Sequence, residues 1–219
     1  MAARSRFAED ELARAVQWGV TQYVVLGAGL ETFAYRNANP ELRVYEVDFP
    51  ATQEWKRWLL GQAAIAIPVN LKFVPLDFEH CTLSEGLAQA GFASDAPAFF
   101  SWLGVVPYLS LDAFRSTLQS IGQLPRPSAV TFDFAVSPEL LGPREKAAFD
   151  VLAARVAAAG EPFQLFFKPE ELETEAQRAG FGVIEVVGAD ELNARYFGDR
   201  TDGLALPSPG LGMMATARI

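Results

Sequence analysis

Three short apolar runs in the first 77 residues each stop at a residue suited to meeting a ligand, and this succession constrains the fold more than any other feature. Residues 22–26 run into Gly27-Ala28-Gly29, residues 43–47 into Asp48-Phe49-Pro50, and residues 71–76 into Asp77. The runs are rich in β-branched and aromatic residues, and helical stretches follow them, which is the pattern of parallel strands joined by crossover helices. Open parallel sheets bind ligands beyond the carboxyl ends of their strands. The two glycines allow close backbone approach to a ligand, and Asp48, 21 positions after Gly27, stands where an acid accepts hydrogen bonds from a ribose diol. Together with Asp77 they point to a nucleoside-bearing cofactor. Plainer readings stay open: a tight strand-to-helix connection for the glycines, and helix caps for Asp48 and Asp77. The place of a third fingerprint glycine holds Thr32, so a ligand without a pyrophosphate fits better than a dinucleotide.

The same alternation continues downstream. Helices are predicted over residues 6–18, from Pro50 onward, and over 111–121, 147–159 and 169–179; further strands are predicted over 98–102 and 128–134. In the helix opened by Pro50, the spacing of Trp55, Trp58 and Leu59 predicts a face packed on the sheet. Two last runs, 182–187 and 213–219, have one short helical candidate between them at 190–197, compatible with an antiparallel strand inserted at one end of the sheet. No repeat or linker divides the chain, and 219 residues suffice for one core, so a single domain is expected.

Composition narrows the partners. Eighteen basic against 27 acidic residues give a net charge of −9, which repels a phosphate backbone and argues against nucleic acid. The apolar runs fall short of the roughly 20 residues that a bilayer span requires. Residues 1–12 contain no apolar core of a signal peptide, so a cytoplasmic location is expected. Cys81 is the only cysteine, which excludes an internal disulfide and a cysteine-rich metal site. His80, the only histidine, is a weak candidate for a general base, with a solvated loop as the plainer reading. Phe99, Phe100, Trp102 and Tyr108 cluster at the end of the fourth strand; Trp102 and Tyr108, with polar tips, are the better candidates for lining a site.

Leu26-Gly27-Ala28-Gly29-Leu30-Glu31-Thr32, followed by Ala34-Tyr35-Arg36 and then Tyr45-Glu46-Val47-Asp48-Phe49-Pro50, resembles the leucine carboxyl methyltransferase superfamily, especially its bacterial branch of S-adenosyl-L-methionine (SAM)-dependent O-methyltransferases. The likeness continues through Phe100-Ser101-Trp102-Leu103-Gly104-Val105-Val106-Pro107-Tyr108-Leu109 to Gly210-Leu211-Gly212-Met213. It implies the class I methyltransferase fold: α/β and Rossmann-like, with a seven-stranded, mostly parallel sheet, one antiparallel strand and helices on both faces. By the same resemblance Gly27 and Gly29 cradle SAM, Asp48 holds its ribose, Asp77 and Phe78 contact the adenine, and Arg4 pairs with the methionine carboxylate.

Two departures qualify what the resemblance implies. Leu103 stands where the eukaryotic members have an acidic residue, so methylation of a protein phosphatase tail is not expected. Family members also carry a helical segment ahead of the run that contains Arg4, and here that lid is expected to be largely absent. The implied activity is methyl transfer to oxygen of a small-molecule acceptor. A carboxylate acceptor needs no base, whereas a hydroxyl must lose its proton, with His80 or Asp77 as first candidates and Tyr108 as a further weak one. Two alternatives stand beside it: a non-catalytic module that binds SAM or S-adenosylhomocysteine, and a nicotinamide oxidoreductase on a similar sheet.

Overall fold

A computed structural model describes residues 2–77 and 82–219. Its elements in chain order are α1 (Ala2–Gln17), β1 (Gln22–Leu26), α2 (Phe33–Arg36), β2 (Arg43–Asp48), α3 (Pro50–Gln62), β3 (Leu71–Pro75), α4 (Leu83–Gln89) and β4 (Ala98–Trp102). After a 3-10 turn at Val106–Tyr108 come α5 (Leu111–Gly122), β5 (Ala129–Val136), α6 (Pro143–Ala158), β6 (Phe166–Phe167), α7 (Pro169–Arg178), β7 (Val183–Val187), α8 (Ala189–Tyr196) and β8 (Gly212–Arg218).

One mixed sheet runs in the order β3-β2-β1-β4-β5-β8-β7. The first five strands lie parallel, and β8 is antiparallel to both β5 and β7. This is the expected architecture, with one addition: β6, two residues long, pairs parallel with β5 beyond the main order. The strand order reverses between β1 and β4, which opens the crevice where such sheets bind ligands.

Central strands are buried on both faces, as in sheets covered by helices on each side. Along β1, Val24 and Leu26 join a core cluster with Phe100, Trp102, Phe114, Phe132 and Phe134, while Tyr23 and Val25 join the opposite cluster with Leu12, Val44 and Phe99. Helix α5 starts where the Ser110 hydroxyl accepts the N–H of Ala113, and it buries Phe114, Thr117, Leu118 and Ile121. Its last residue backs onto the end of α7, where a Cβ on Gly122 would stand 1.8 Å from the Ala179 carbonyl oxygen. Gly122→Ala should therefore destabilise the protein by about 1–3 kcal/mol through forced backbone displacement, measured as a drop in the midpoint of thermal unfolding.

Helix α3 corrects the reading of its pattern. Trp55 and Trp58 face solvent, and the side packed on the sheet carries Gln53, Lys56 and Leu60. Two of those three are polar because the sheet offers them partners. Gln53 Nε2 donates to the carbonyls of Glu46 and Val74 at 2.6 and 3.2 Å, and Lys56 Nζ donates to the Glu46 carboxylate at 2.6 Å. Burial of polar groups is tolerated when they are hydrogen-bonded. Among the described residues, no helix is long and apolar enough to cross a membrane.

Candidate functional site

The glycine turn after β1 is laid across the end of β2. Gly27 and Gly29 have φ of +66° and +46°, a region that favours glycine. The N–H groups of Gly27 and Ala28 both donate to the Val47 carbonyl, at 2.9 and 3.1 Å. One residue on, Asp48 Oδ2 accepts the Gly29 N–H at 2.6 Å and Oδ1 accepts the Phe49 N–H at 2.7 Å. Close packing also demands glycine at position 27, where a Cβ would lie 2.4 Å from Val105 Cγ2 in the loop after β4. Lys56 Nζ reaches the Glu31 carbonyl at 2.7 Å, fastening the far side of the turn from beneath.

Beyond these strand ends lies a cavity of about 920 Å³ that brings Gly27, Asp48 and Asp77 together. Trp102, Leu83 and Leu109 contribute apolar wall, and Ser116, Thr117 and Ser120 of α5 contribute hydroxyls. Among the described residues, its charged lining consists of Asp48, Asp77 and Glu85. Glu85 is held below the usual carboxylate range by hydrogen bonds from the backbone N–H and the hydroxyl of Thr82, with which it forms the capping box of α4. An all-acidic lining repels a pyrophosphate and suits a cationic ligand with hydroxyl groups to donate.

Arg4 stands on α1 over the loop after β4. Its Nη1 donates to Asp133 Oδ2 at 2.9 Å, and Asp133 Oδ1 accepts the Gly104 N–H at 2.5 Å. A Cβ on Gly104 would come within 3.1 Å of the Arg4 guanidinium, so the loop that meets the glycine turn through Val105 also meets Arg4. Asp133 was not anticipated. Its signal is a lone acid inside the apolar run Phe132-Asp133-Phe134 toward the carboxyl end of β5.

The remaining expected residues separate. Trp102 lines the cavity and stacks on Phe114 at 5.7 Å between ring centroids. Tyr108 packs its ring against Phe163 at 5.2 Å and is not among the cavity-lining residues, because the 3-10 turn carries it toward the segment after α6. Phe78 and His80, with Cys81, lie outside the described residues.

Comparison with known proteins gives the family and the fold. Residues 1–122 match the leucine carboxyl methyltransferase family. A Bacillus subtilis (strain 168) protein named "Putative S-adenosyl-L-methionine-dependent methyltransferase YktD" is 34% identical over 206 residues, covering 93% of this chain and 67% of the relative. A Mycobacterium avium (strain 104) protein with the same description but no individual name is 30% identical over 212 residues, covering 90% of this chain and 66% of the relative, so the chain spans about two thirds of the length of both. In fold it is similar to magnesium protoporphyrin IX methyltransferase from Synechocystis PCC 6803, solved with bound S-adenosylhomocysteine (TM-score 0.58, 13% identity, 99% of this chain and 83% of that one). Human N-acetylserotonin methyltransferase, solved in complex with SAM, is similar at a TM-score of 0.55 and 13% identity, over 90% of this chain and 47% of that one. By the match over more than half its length and by its identity to the B. subtilis relative, the chain belongs to the leucine carboxyl methyltransferase family.

Proposed function

We propose that this protein binds SAM in the cavity beyond β1, β2 and β3 and transfers the methyl group to an oxygen of a small-molecule acceptor. The observation that carries the reading is Gly27 with Asp48 and Asp77 at three successive strand ends, all lining one cavity of about 920 Å³, while Gly29 braces the turn through Asp48 without lining it. The family's description names a carboxyl group as acceptor, which supports oxygen.

The residues present fit the cofactor. When bound, SAM supplies a methyl group on a sulfonium, and a positively charged sulfur suits the acidic lining. Asp48 has lone pairs beyond the two that take the Gly29 and Phe49 N–H groups, and these would accept from a ribose diol. Trp102, Leu83 and Leu109 offer apolar surface for a flat base. Arg4 is not among the residues lining the cavity, and it would hold the methionine carboxylate from α1; a guanidinium carries five donors, so its bond to Asp133 is compatible with reading a second carboxylate. Alignment of donor and acceptor and exclusion of water provide most of the acceleration, because the leaving group needs no assistance.

Calorimetric titration with SAM and separately with NADH, followed by a radiolabelled methyl-transfer screen over small carboxylates and hydroxyl compounds, tests the reading. SAM binding with transfer is expected. Binding of SAM with no transfer to any acceptor would favour a non-catalytic binding module instead, and binding of NADH alone would overturn the proposal. Asp133→Asn should weaken SAM binding about tenfold, the equivalent of about 1.4 kcal/mol, by releasing Arg4 from its ion pair. An unchanged dissociation constant in that variant would remove Asp133 from the site.

A further inference from the structure

Neither of the polar side chains that α3 buries against the sheet lines the cavity, yet both reach the backbone that shapes it. Gln53 Nε2 joins the Glu46 carbonyl of β2 to the Val74 carbonyl of β3, just short of the ends that carry Asp48 and Asp77. Lys56 Nζ donates to the Glu46 carboxylate at 2.6 Å and to the Glu31 carbonyl at 2.7 Å, and it lies 5.6 Å from the centroid of the Tyr35 ring in α2. An ammonium has three protons to place, and this buried one meets a carboxylate, a carbonyl and an aromatic face.

Charge neutralisation does not account for the arrangement. Apolar residues of similar volume often replace a buried ion pair without loss of stability. What no apolar residue at position 56 could do is hold the Glu31 carbonyl, which belongs to the far side of the glycine turn. The near side is fixed to β2 through Val47 and Asp48. Among the described residues, the other partners of Glu31 are Ala28, Thr32, Phe33 and Arg36, all in the turn or in α2. Lys56 therefore ties the far side to a separate layer of the fold, while Leu30, between the two anchorages, stays exposed.

We propose that Lys56 is a positioning residue for the cofactor, which holds the glycine turn through the Glu31 carbonyl so that the turn is set in its binding conformation before SAM arrives. The proposal rests on the SAM reading of the cavity. A turn released on one side visits other conformations, and apparent affinity falls with the fraction of time spent in the competent one.

Two variants separate this role from plain stability. Lys56→Met leaves Glu46 buried without its partner, whereas Lys56→Met combined with Glu46→Leu leaves no unpaired charge and regains much of the lost stability. Both lack the bond to Glu31. Calorimetry with SAM, at a temperature where circular dichroism shows both folded, should give a dissociation constant raised about tenfold in both, which corresponds to a competent fraction of about one tenth. Hydrogen exchange without SAM should be faster at the amides of residues 28–32 in both, with β4 and β5 of the double variant exchanging as in the wild type. Wild-type affinity in the double variant would mean that Lys56 serves stability alone and would overturn the proposal, as would unchanged exchange in the turn. If the wild-type chain takes up no SAM, the cofactor reading fails by itself, and the exchange rates still decide whether Lys56 holds the turn.

Discussion

Asp48→Ala should lower the affinity for SAM about a hundredfold while the protein remains folded, as read by calorimetry and circular dichroism. Hydrogen bonds to a charged group contribute about 1.5–3 kcal/mol each, and a hundredfold change corresponds to about 2.8 kcal/mol. One such bond to a ribose hydroxyl, or two weaker ones, accounts for the effect. A second contribution comes from the turn itself, since Asp48 Oδ2 accepts the Gly29 N–H at 2.6 Å and its loss leaves that backbone less well held. Asp48→Asn, which retains one carbonyl acceptor, should fall between the wild type and the alanine variant. Unchanged affinity in Asp48→Ala would remove the ribose assignment and leave the carboxylate as a brace for the turn.

Lys56→Met should be the most destabilising of the substitutions considered. Lys56 and Glu46 form an ion pair at 2.6 Å with side chains 5% and 1% exposed, and removing one partner of a buried pair costs about 3–5 kcal/mol. The pH dependence identifies the cause. Burial raises the Glu46 carboxyl above the usual carboxylate value even though the Lys56 ammonium pulls it down. A carboxyl raised in the folded state binds its proton more tightly there than in the unfolded chain. Its contribution is therefore present at low pH and is lost as pH rises through the folded value. Without Lys56 that value rises further, so urea unfolding of Lys56→Met should show the deficit largest near neutral pH and shrinking on acidification. A deficit independent of pH would mean that lost packing of the lysine stem dominates. Replacing Glu46 with leucine in the same chain should restore much of the stability, because no uncompensated charge then remains.

The parts of this fold that were legible in the sequence are those written in strand-length apolar runs. β1 and β4 fall on the expected residues, and β2, β3, β5, β7 and β8 agree to within one or two positions at each end. The Gly27, Asp48 and Asp77 series was legible for the same reason, since strand ends locate themselves once the strands are known. Helix α3 was misread because periodicity treats apolar residues as inward. That rule fails where the sheet presents the Glu46 carboxylate and carbonyl groups that only polar side chains can satisfy. Helix α4 was missed although Thr82 and Glu85 spell its capping box, because seven residues give too short a period to register. The four residues of α2 and the two of β6 are shorter still. Asp133 carries a local signal as a lone acid in an apolar run, but its pairing with Arg4 depends on α1 returning over β5, a contact 129 positions apart.

The placement of β8 sets the order in which the sheet can be assembled. Among the described residues β7 has no neighbour in the sheet except β8, and β8 bonds to β5 along its other edge. Strand β7 thus emerges from the ribosome with nothing to pair with. Parallel strands β1 to β5 can associate while synthesis continues, but β7 must wait for residues 212–218. The two then join the exposed edge of β5 most directly as a preformed antiparallel pair, each bringing its side chains in register. Until that happens β5 presents an open hydrogen-bonding edge to the cell, and open strand edges invite pairing with other chains. Synthesis paused before β8 emerges should leave a chain that chaperones recognise and completed chains do not.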